Sequence, residues 1–511
     1  MSSMFVLPLP YVVTAQSLGV FADGNDHSAT LAAGISALPA GSSIYFSAGT
    51  YVLNHFTISN SVRLYGDGKS STILSQGDAS QTNFITLAAN NVVFEKMTIQ
   101  ATGTTTNGVN IPTGTTDITF DRVKVTGAQA QGVNAFSATR LHVFKSEFSG
   151  NGNTQFYYTL ETGQTCSDLV LEDSLFDSTG MTAPWMCAAI GGQTGACSLT
   201  DVKITGNIFK TFTRPTAETD CLVLSVAGSN ANTLDRVVIA NNSMQSTSAA
   251  TTSSCYGIEI AGKINAVVTG NRIEACSVGI ITENSPTSGG TPNNVVIANN
   301  LILPNTAQSG GYGIYAAQGA SVSIIGNVLP SPGVASYGII TSCSSAIIEG
   351  NWVYGNGVGI RVSSSNTVAQ GNIVQGGTYL ISLQGTISNV QVRNNYMYGG
   401  NIGIWPSGTF SGVQLSGNTF SSMTTTYYAG LTTTAGITVV DDSVAGSTSQ
   451  NVPAILGTYT VSALPAASTA LKGALAVVTD AASPTWGSAL TGSGSTVCLA
   501  LCQGTGGWVA A

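Results

Sequence analysis

The feature that most constrains the fold is an asparagine that returns at intervals of 21 to 35 residues. It stands in one repeated phrase: alternating apolar residues, a small residue, Asn and an apolar pair. The phrase occurs around Asn207, Asn242, Asn271, Asn300, Asn327, Asn351, Asn372, Asn395 and Asn418. Upstream, Met97, Val123, Ser146 and Ser174 hold the same register. About thirteen repeats of this length predict a solenoid.

A second phrase, in which Gly-Ile follows an aromatic or apolar residue, lies between the asparagines. It occurs at 256–260, 278–282, 312–316, 337–341, 358–362 and 402–406. Each turn therefore contains at least two short strands. Gly and Asn suit the corners because positive φ costs them little. The pattern predicts an all-β parallel β-helix with Asn side chains bonded between turns; a leucine-rich repeat is disfavoured because no helix follows each strand.

Composition excludes two classes of partner. Only 8% of the 511 residues are charged and the net charge is −8, so no cationic surface is available to neutralise nucleic-acid phosphates. No apolar run approaches the ~18 residues of a membrane span. Nine cysteines leave at least one unpaired. Cys187–Cys197 and Cys498–Cys502 are possible pairs, but buried free thiols are favoured.

The start of the β-helix has a recognisable pattern. Residues 28–38 predict a short amphipathic helix, with Leu31, Ile35 and Leu38 on one face, that caps the first coil. The stretch that follows, Pro39-Ala40-Gly41 and then Tyr45 to Tyr51, resembles the opening of the pectin-lyase-like superfamily. The resemblance covers residues 12–440 and implies a right-handed, single-stranded parallel β-helix. The predicted divisions are 1–53 for the capping segment, 54–440 for the β-helix and 441–511 for a linker and small β module.

The C-terminal module carries a second resemblance. Its phrase YTVSALPAASTALKGA is similar to C-terminal modules of phage and prophage tail proteins. The two resemblances together imply a tailspike-like or tail-fibre-like homotrimer that is located in a virion or outside the cell, with phage tail proteins as further partners. The pectin-lyase-like superfamily includes lyases, hydrolases, epimerases and non-catalytic proteins, so the reaction has to be inferred from the residues themselves.

Aligning the turns on the repeated phrases predicts columns of stacked side chains. Three positions after the Asn slot, one column contains Asp177, Lys210 and Glu274. A second, outward column follows the Gly-Ile phrase and contains Glu161 and Glu259, among others. Long loops on one face of a solenoid usually build its binding surface. Two such loops, 179–197 and 211–221, carry the residues Trp185, Arg214, Glu218 and Asp220.

These positions predict a polysaccharide site, since two carboxyls can divide acid and base work while aromatic and cationic side chains hold the sugar. The predicted catalytic residues are Asp177, Glu218, Asp220 and Glu259. The predicted substrate-binding residues are Trp185, Lys210, Arg214, Arg272, Glu274 and Glu283. No metal or cofactor is expected, because the three histidines are scattered and no multi-Asp calcium site is visible.

The predicted function is a depolymerase of bacterial capsule, O-antigen or exopolysaccharide, with hydrolysis favoured over elimination. A non-catalytic glycan-binding tail fibre or adhesin is the alternative, and a purely structural solenoid is the third. Two carboxyls facing one groove, one of them with a raised pKa, would favour the enzyme.

Assembly is predicted from the outward column. Ile281, Tyr315 and Ile340 follow Glu259 on consecutive turns, and an exposed apolar stripe of this kind marks an interface. The stripe therefore predicts a homotrimer whose shared surface includes Tyr315 and Ile340.

Overall fold

The computed structural model describes residues 11–78, 80, 82–102, 107–179, 185–192, 195–211, 219–226, 232–246, 255–284, 290–303, 311–330, 337–429, 436–444, 458–468 and 472–511. The chain divides into two compact units, Met1–Ile437 and Thr438–Ala511. Among the described residues, no helix is long and apolar enough to cross a membrane.

The first unit is a solenoid of parallel strands, which confirms the predicted β-helix. Three sheets, here called A, B and C, follow one another in that order in each turn. Sheet A contains Val12–Thr14, Ser42–Phe46, Val62–Gly66, Val92–Glu95, Thr116–Asp121, Thr139–Phe144, Thr165–Glu172, Ser198–Thr205, Thr233–Ala240, Ile264–Thr269, Asn294–Ala298, Ser321–Ile325, Ala346–Glu349, Thr367–Gln370, Gln391–Arg393 and Val413–Ser416.

Sheet B contains Gly49–Leu53, Thr72–Gln76, Thr98–Gln100, Lys124–Thr126, Glu147–Ser149, Leu175–Asp177, Ile208–Thr211, Ser243–Ser246, Arg272–Glu274, Leu301–Leu303, Val328–Pro330, Trp352–Tyr354, Ile373–Gln375, Tyr396–Tyr398 and Thr419–Ser421. Sheet C contains Phe56–Ile58, Asn83–Leu87, Asn107–Ile111, Gln131–Phe136, Thr154–Leu160, Met186–Gly192, Asp220–Val226, Tyr256–Ala261, Val278–Glu283, Tyr312–Ala316, Tyr337–Thr341, Val358–Val362, Tyr379–Ser388, Ile402–Ser411 and Thr426–Tyr428.

The repeated asparagines form a buried ladder at the corner between sheets A and B. Asn300 shows the pattern: its Nδ2 donates to Asn327 Oδ1 at 3.0 Å and to the carbonyl of Val268 at 3.0 Å, and its backbone N–H donates to the same Oδ1. Asn300 is 1% exposed. Because each amide bonds the next turn, the ladder fixes the register of both adjoining sheets, as the sequence predicted.

The residue before each ladder position has a positive φ, and here the early and late turns differ. Later turns place Gly or Asn there, such as Gly270 and Asn299, whereas earlier turns place Arg122 (φ 56°), Lys145 (φ 48°) and Asp173 (φ 51°). A left-handed conformation costs these larger residues more than glycine. The early corners therefore place charged residues in a left-handed backbone conformation, which costs more conformational free energy than the Gly and Asn of the later corners.

The interior of the solenoid follows from the two-residue alternation of its strands. Phe148, Phe176 and Phe209 stack in sheet B, with ring centroids 5.1 and 5.0 Å apart. The capping helix, Ser28–Ala37, buries Leu31 and Ile35 as predicted, whereas Leu38 follows the helix in an extended conformation and is only half-buried. One short 3-10 helix, Gln16–Leu18, precedes it.

The second unit begins with the short strands Ile437–Val440 and Ser443–Val444, the first of which starts at the boundary. A small sheet follows, made of Thr458–Tyr459, Leu475–Ala481, Thr496–Cys502 and Trp508–Ala510, with the 3-10 helices Val461–Ala463 and Gly504–Gly506. Its core is a cluster of Ala476, Val478, Ala481 and Ala500. In the whole chain all nine cysteines are free and eight are buried, as the favoured interpretation held.

Candidate functional site

Two glutamates meet on the outer face of sheet C. The strand Tyr256–Ala261 pairs with Val278–Glu283, so that Glu259 lies opposite Ile281 and Ala261 lies opposite Glu283. Because alternate residues of a strand share a face, Glu283 is the diagonal neighbour of Glu259 on the next strand. A hydrogen bond joins the two carboxyl groups.

The state of this pair follows from its burial. Glu259 is only 8% exposed. Burial raises the pKa of Glu283 above its ordinary value, while the hydrogen bond with Glu259 acts in the opposite direction. A hydrogen bond between two carboxyls needs one proton, and two carboxylates in contact repel each other. The pair can therefore contain one neutral carboxylic acid and one carboxylate. Acid–base catalysis requires such a pair, because the neutral acid donates a proton while the carboxylate acts as base or nucleophile.

A third acid, Asp220, stands at the start of the preceding strand of sheet C. It pairs with Met186 at the start of its strand and is fully buried. Its Oδ1 accepts a hydrogen bond of 2.9 Å from the backbone N–H of Tyr256. Asp220, Glu259 and Glu283 thus lie on three successive strands. Asp220 is hydrogen-bonded to the first residue of the strand that carries Glu259.

Trp185 stands at the edge of this region. The backbone N–H of Asp220 donates to the Trp185 carbonyl at 3.1 Å, and Trp185 is 46% exposed. Its indole therefore offers a flat apolar surface one strand away from Asp220, where the sequence predicted a sugar contact.

Aromatic side chains continue the outer face of sheet C beyond the glutamate pair. The Tyr312 and Tyr337 rings stack at 5.5 Å. Tyr379 and Trp405 stack at 4.2 Å, with an angle of 18° between their planes. Flat rings of this kind match the apolar faces of pyranose sugars. The face therefore combines buried acids with aromatic surfaces further along the solenoid.

The predicted exposed apolar stripe is wrong in one respect. Ile281, Tyr315 and Ile340 do form one column. Ile281 and Ile340 are, however, only 5% and 4% exposed within a single chain. Each lies between two large side chains of the column: Ile281 between Glu259 and Tyr315, and Ile340 between Tyr315 and Arg361. The column therefore gives no independent support to a homotrimer.

The predicted sheet B residues keep their register but lie on another sheet. Asp177 pairs with Lys210 in sheet B. The Asp177 carboxylate accepts from the Thr179 N–H at 2.9 Å, which is a local turn contact. Arg272 and Glu274 form an ion pair with each other. These residues are therefore separated from Glu259 by the turn of the chain between sheets B and C.

Three further sequence predictions have different outcomes. Glu161 is not in the Glu259 column: that position is occupied by Tyr157, which pairs with Ala189, and Ala189 pairs with Val223. Glu161 follows the strand and contacts Thr113 instead. Arg214 and Glu218 lie outside the described residues.

Aligning the turns in columns does not predict the contact of Glu259 with Glu283, because a column relates only residues that lie directly opposite each other on adjacent strands. Glu283 was predicted as a substrate contact, not as a member of the acid pair. The signal was present in the two-residue alternation, since Ile281 and Glu283 must share a face.

Charges in the early turns form a separate polar surface at the corner between sheets A and B. A cavity of about 440 Å³ there is lined by Asp121, Arg122, Phe144, Lys145, Glu172 and Asp173. Glu95 is buried beside it and forms an ion pair with Arg122 at 3.0 Å. These side chains form a ladder of charges along the corner, and its buried acid is compensated by cations.

Comparison with known proteins gives one family match. The family described as "Periplasmic copper-binding protein (NosD)" matches residues 290–450. This segment contains no histidine, one cysteine (Cys343) and two methionines (Met397 and Met423). Copper sites in proteins use imidazole and sulfur ligands. Among the described residues no group of three His, Cys, Asp or Glu side chains could hold a metal, so the residues do not fit a copper site. No curated protein matches the sequence.

Solved structures that resemble the chain have diverse activities. The A-module of mannuronan C-5 epimerase AlgE6 from Azotobacter vinelandii is 16% identical, with a TM-score of 0.34, and the match covers 85% of this chain and all of that one. Tailspike protein 3 of bacteriophage CBA120 is 12% identical, with a TM-score of 0.42 over 98% of this chain and 69% of that one. The catalytic domain of a GH87 α-1,3-glucanase is 13% identical, with a TM-score of 0.32 over 86% and 69%. The likeness concerns the β-helix fold, and the candidate site rests on this chain's own residues.

Proposed function

We propose that the chain is a glycoside hydrolase that cleaves a bacterial surface or extracellular polysaccharide. The observation that supports this is the hydrogen-bonded pair of Glu259 and Glu283, in which burial raises the pKa of one carboxyl. The aromatic surfaces on the same face of the solenoid provide places for sugar rings on either side of the pair. A tailspike-like depolymerase acting outside the cell is the setting we infer.

The chemistry follows from the spacing of the two acids. Inverting glycosidases hold their carboxyls about 6.5–9.5 Å apart to admit a water, whereas retaining enzymes hold them about 5–5.5 Å apart. Carboxyls that touch through a hydrogen bond lie closer than in either arrangement, so a bound sugar has to separate them. The retaining spacing needs the smaller movement, and we therefore infer a retaining mechanism.

In the first step, the protonated carboxyl of the pair donates its proton to the glycosidic oxygen while the bond between that oxygen and the anomeric carbon breaks. The ionised carboxyl of the pair forms a bond to the anomeric carbon. In the second step, the carboxyl that gave up its proton takes a proton from water, and the water oxygen displaces the other carboxylate from the anomeric carbon. Asp220 holds the backbone of Tyr256 and so helps to position the strand that carries Glu259.

The experiment is to incubate the protein with purified capsules, O-antigens and exopolysaccharides and to measure released reducing ends. Hydrolysis predicts new reducing ends without the ultraviolet absorbance of an unsaturated sugar, and retained anomeric configuration in the first product. Absorbance from an unsaturated end would contradict hydrolysis and indicate a lyase. Product with inverted configuration would contradict the roles given to the two glutamates.

A non-catalytic glycan-binding protein is the second candidate, favoured by the stacked Tyr379 and Trp405 rings. It predicts binding of a polysaccharide without release of oligosaccharides. Binding that is unchanged in Glu259→Gln and Glu283→Gln, with no cleavage by the unmodified chain, would support this candidate over the enzyme.

A further inference from the structure

We propose that Arg361 binds the carboxylate of an acidic sugar unit, so that the polysaccharide recognised on sheet C contains a uronic acid. This inference rests on the proposed function, since it names the class of sugar that the same face would hold. It concerns a position that the sequence did not single out.

Arg361 lies on the outer face of sheet C, in the column of Glu259. Successive strands place Ile281, Tyr315, Ile340 and Arg361 side by side. Arg361 is therefore three strands from Ile281, or about 14 Å at the usual strand spacing of about 4.8 Å. A bound chain that runs along the solenoid axis over the glutamate pair would also pass over Arg361.

The guanidinium group of Arg361 makes a single side-chain hydrogen bond among the described residues. Its Nε donates to Ser363 Oγ at 3.1 Å. Within the described part of the chain, no carboxylate forms an ion pair with it and its terminal nitrogens make no hydrogen bond. Two other arginines of the solenoid are paired with carboxylates, Arg140 with Asp117 and Arg236 with Asp201, whereas Arg393 donates to the side-chain oxygen of Gln370. A half-buried guanidinium with both terminal NH₂ groups available is suited to an anionic ligand.

Aromatic rings flank Arg361 in both directions along the solenoid. Tyr312 and Tyr337 precede it, on the two strands that carry Tyr315 and Ile340 of its column. Tyr379 and Trp405 lie on the two strands that follow. A cation between two aromatic surfaces matches a sugar chain in which a charged unit lies between units that stack through their apolar faces.

The ligand chemistry is an anionic group on a sugar. A carboxylate is planar and accepts two parallel N–H bonds from arginine, which is why a uronic acid is preferred here. A sulfate ester would supply the same charge without that planar match, and it forms a separate arm of the test.

The test uses the full chain carrying Glu283→Gln, so that binding is measured without cleavage. The probes are oligosaccharides of galacturonate, mannuronate and hyaluronan, the same samples after reduction of their carboxyls to alcohols, and dextran sulfate oligosaccharides. We expect at least one native uronate sample to bind about tenfold more tightly than its reduced form. Arg361→Ala should abolish this preference, Arg361→Lys should keep part of it, and Arg393→Ala on sheet A should leave it intact.

Three results would overturn the proposal: equal binding of native and reduced samples, an unchanged preference in Arg361→Ala, or no binding of any uronate probe. Tighter binding of dextran sulfate than of every uronate would also overturn it. Failure of the catalytic proposal would give a different result. An unmodified chain that binds uronates through Arg361 but releases no oligosaccharide would support the Arg361 site and contradict the proposed hydrolase activity.

Discussion

Sheets B and C of the solenoid both carry charged side chains, but the partners of these side chains differ: an acid is paired with a cation on sheet B and with another acid on sheet C. On sheet B, Glu274 pairs with Arg272, and Arg272 is 53% exposed. On sheet C, Glu259 is 8% exposed and its carboxyl touches another carboxyl, that of Glu283. An exposed acid beside a cation is stabilised as an ion, whereas a buried acid beside an acid keeps a proton. Sheet C therefore carries the pair of acids in which a proton can be retained.

This difference separates structural charge from candidate catalytic charge in a chain that has few charges. Exposed ion pairs contribute little to stability and demand no function. A buried pair of like groups costs free energy, and such a cost is common at functional sites. The early A–B corner supports the same distinction, because its buried Glu95 is surrounded by cations such as Arg63 and Arg122.

The largest expected effect is on cleavage by variants of the sheet C pair. Glu283→Gln and Glu259→Gln each remove one member of the acid–carboxylate pair, so each should lower the rate of polysaccharide cleavage by at least about a hundredfold. Reducing-end assays on the responsive polysaccharide measure this. The matched sheet B variants Asp177→Asn and Glu274→Gln should stay within about twofold of the unmodified chain, because surface substitutions away from the reacting groups change little. A greater loss in the sheet B variants than in the sheet C variants would reverse the comparison.

A smaller effect is expected on the pH dependence of stability. The folded pKa of Glu283 is raised, so the folded state holds its proton more tightly than the unfolded state does. The resulting stabilisation is present at acidic pH and is lost as the pH rises from the ordinary glutamate value through the raised one. Glu283→Gln lacks this titration. Its melting temperature relative to the unmodified chain should therefore increase between about pH 4 and about pH 8.

Thermal unfolding followed by circular dichroism measures this difference. Glu274→Gln is the control, and its melting temperature relative to the unmodified chain should not increase in the same way. A relative melting temperature of Glu283→Gln that is constant or falls with pH would show that the pKa of Glu283 is not raised in the folded state.

The smallest effect is expected for the sheet B ion pair. A double-mutant cycle with Arg272→Ala and Glu274→Ala should give a coupling free energy below about 1 kcal/mol, which decreases further in high salt. Chemical denaturation of the four chains measures it. A coupling of several kcal/mol would mean that this pair is structurally important and that the contrast between the two faces is overstated.

The sequence predicted the fold well because one residue type controls the register. A buried amide at each corner has to bond the next turn, so the spacing of asparagines such as Asn271 and Asn300 reports the stacking directly. The same logic correctly placed Asp177 beside Lys210, and Ile281 beside Tyr315.

The site was less predictable, for two physical reasons. Glu161 was misplaced because its turn lacks the Gly-Ile phrase that aligns the later strands, and Tyr157 occupies the position instead. The alignment of repeats correctly predicts the column in which Ile340 lies. It does not predict that Ile340 is buried, because the exposure of a side chain depends on the side chains around the column. The contact of Glu259 with Glu283 depends on a diagonal between strands, which a column-by-column comparison leaves out.

The most direct test of the central claim is the titration of the glutamate side chains. The chain contains nine glutamates, so selective ¹³C labelling gives nine side-chain carboxyl signals, which Glu→Gln variants assign. The account predicts that the Glu283 signal titrates above the usual range of glutamate and that Glu259→Gln alters its titration. A Glu283 signal that titrates like an exposed glutamate, and is indifferent to Glu259→Gln, would contradict the account.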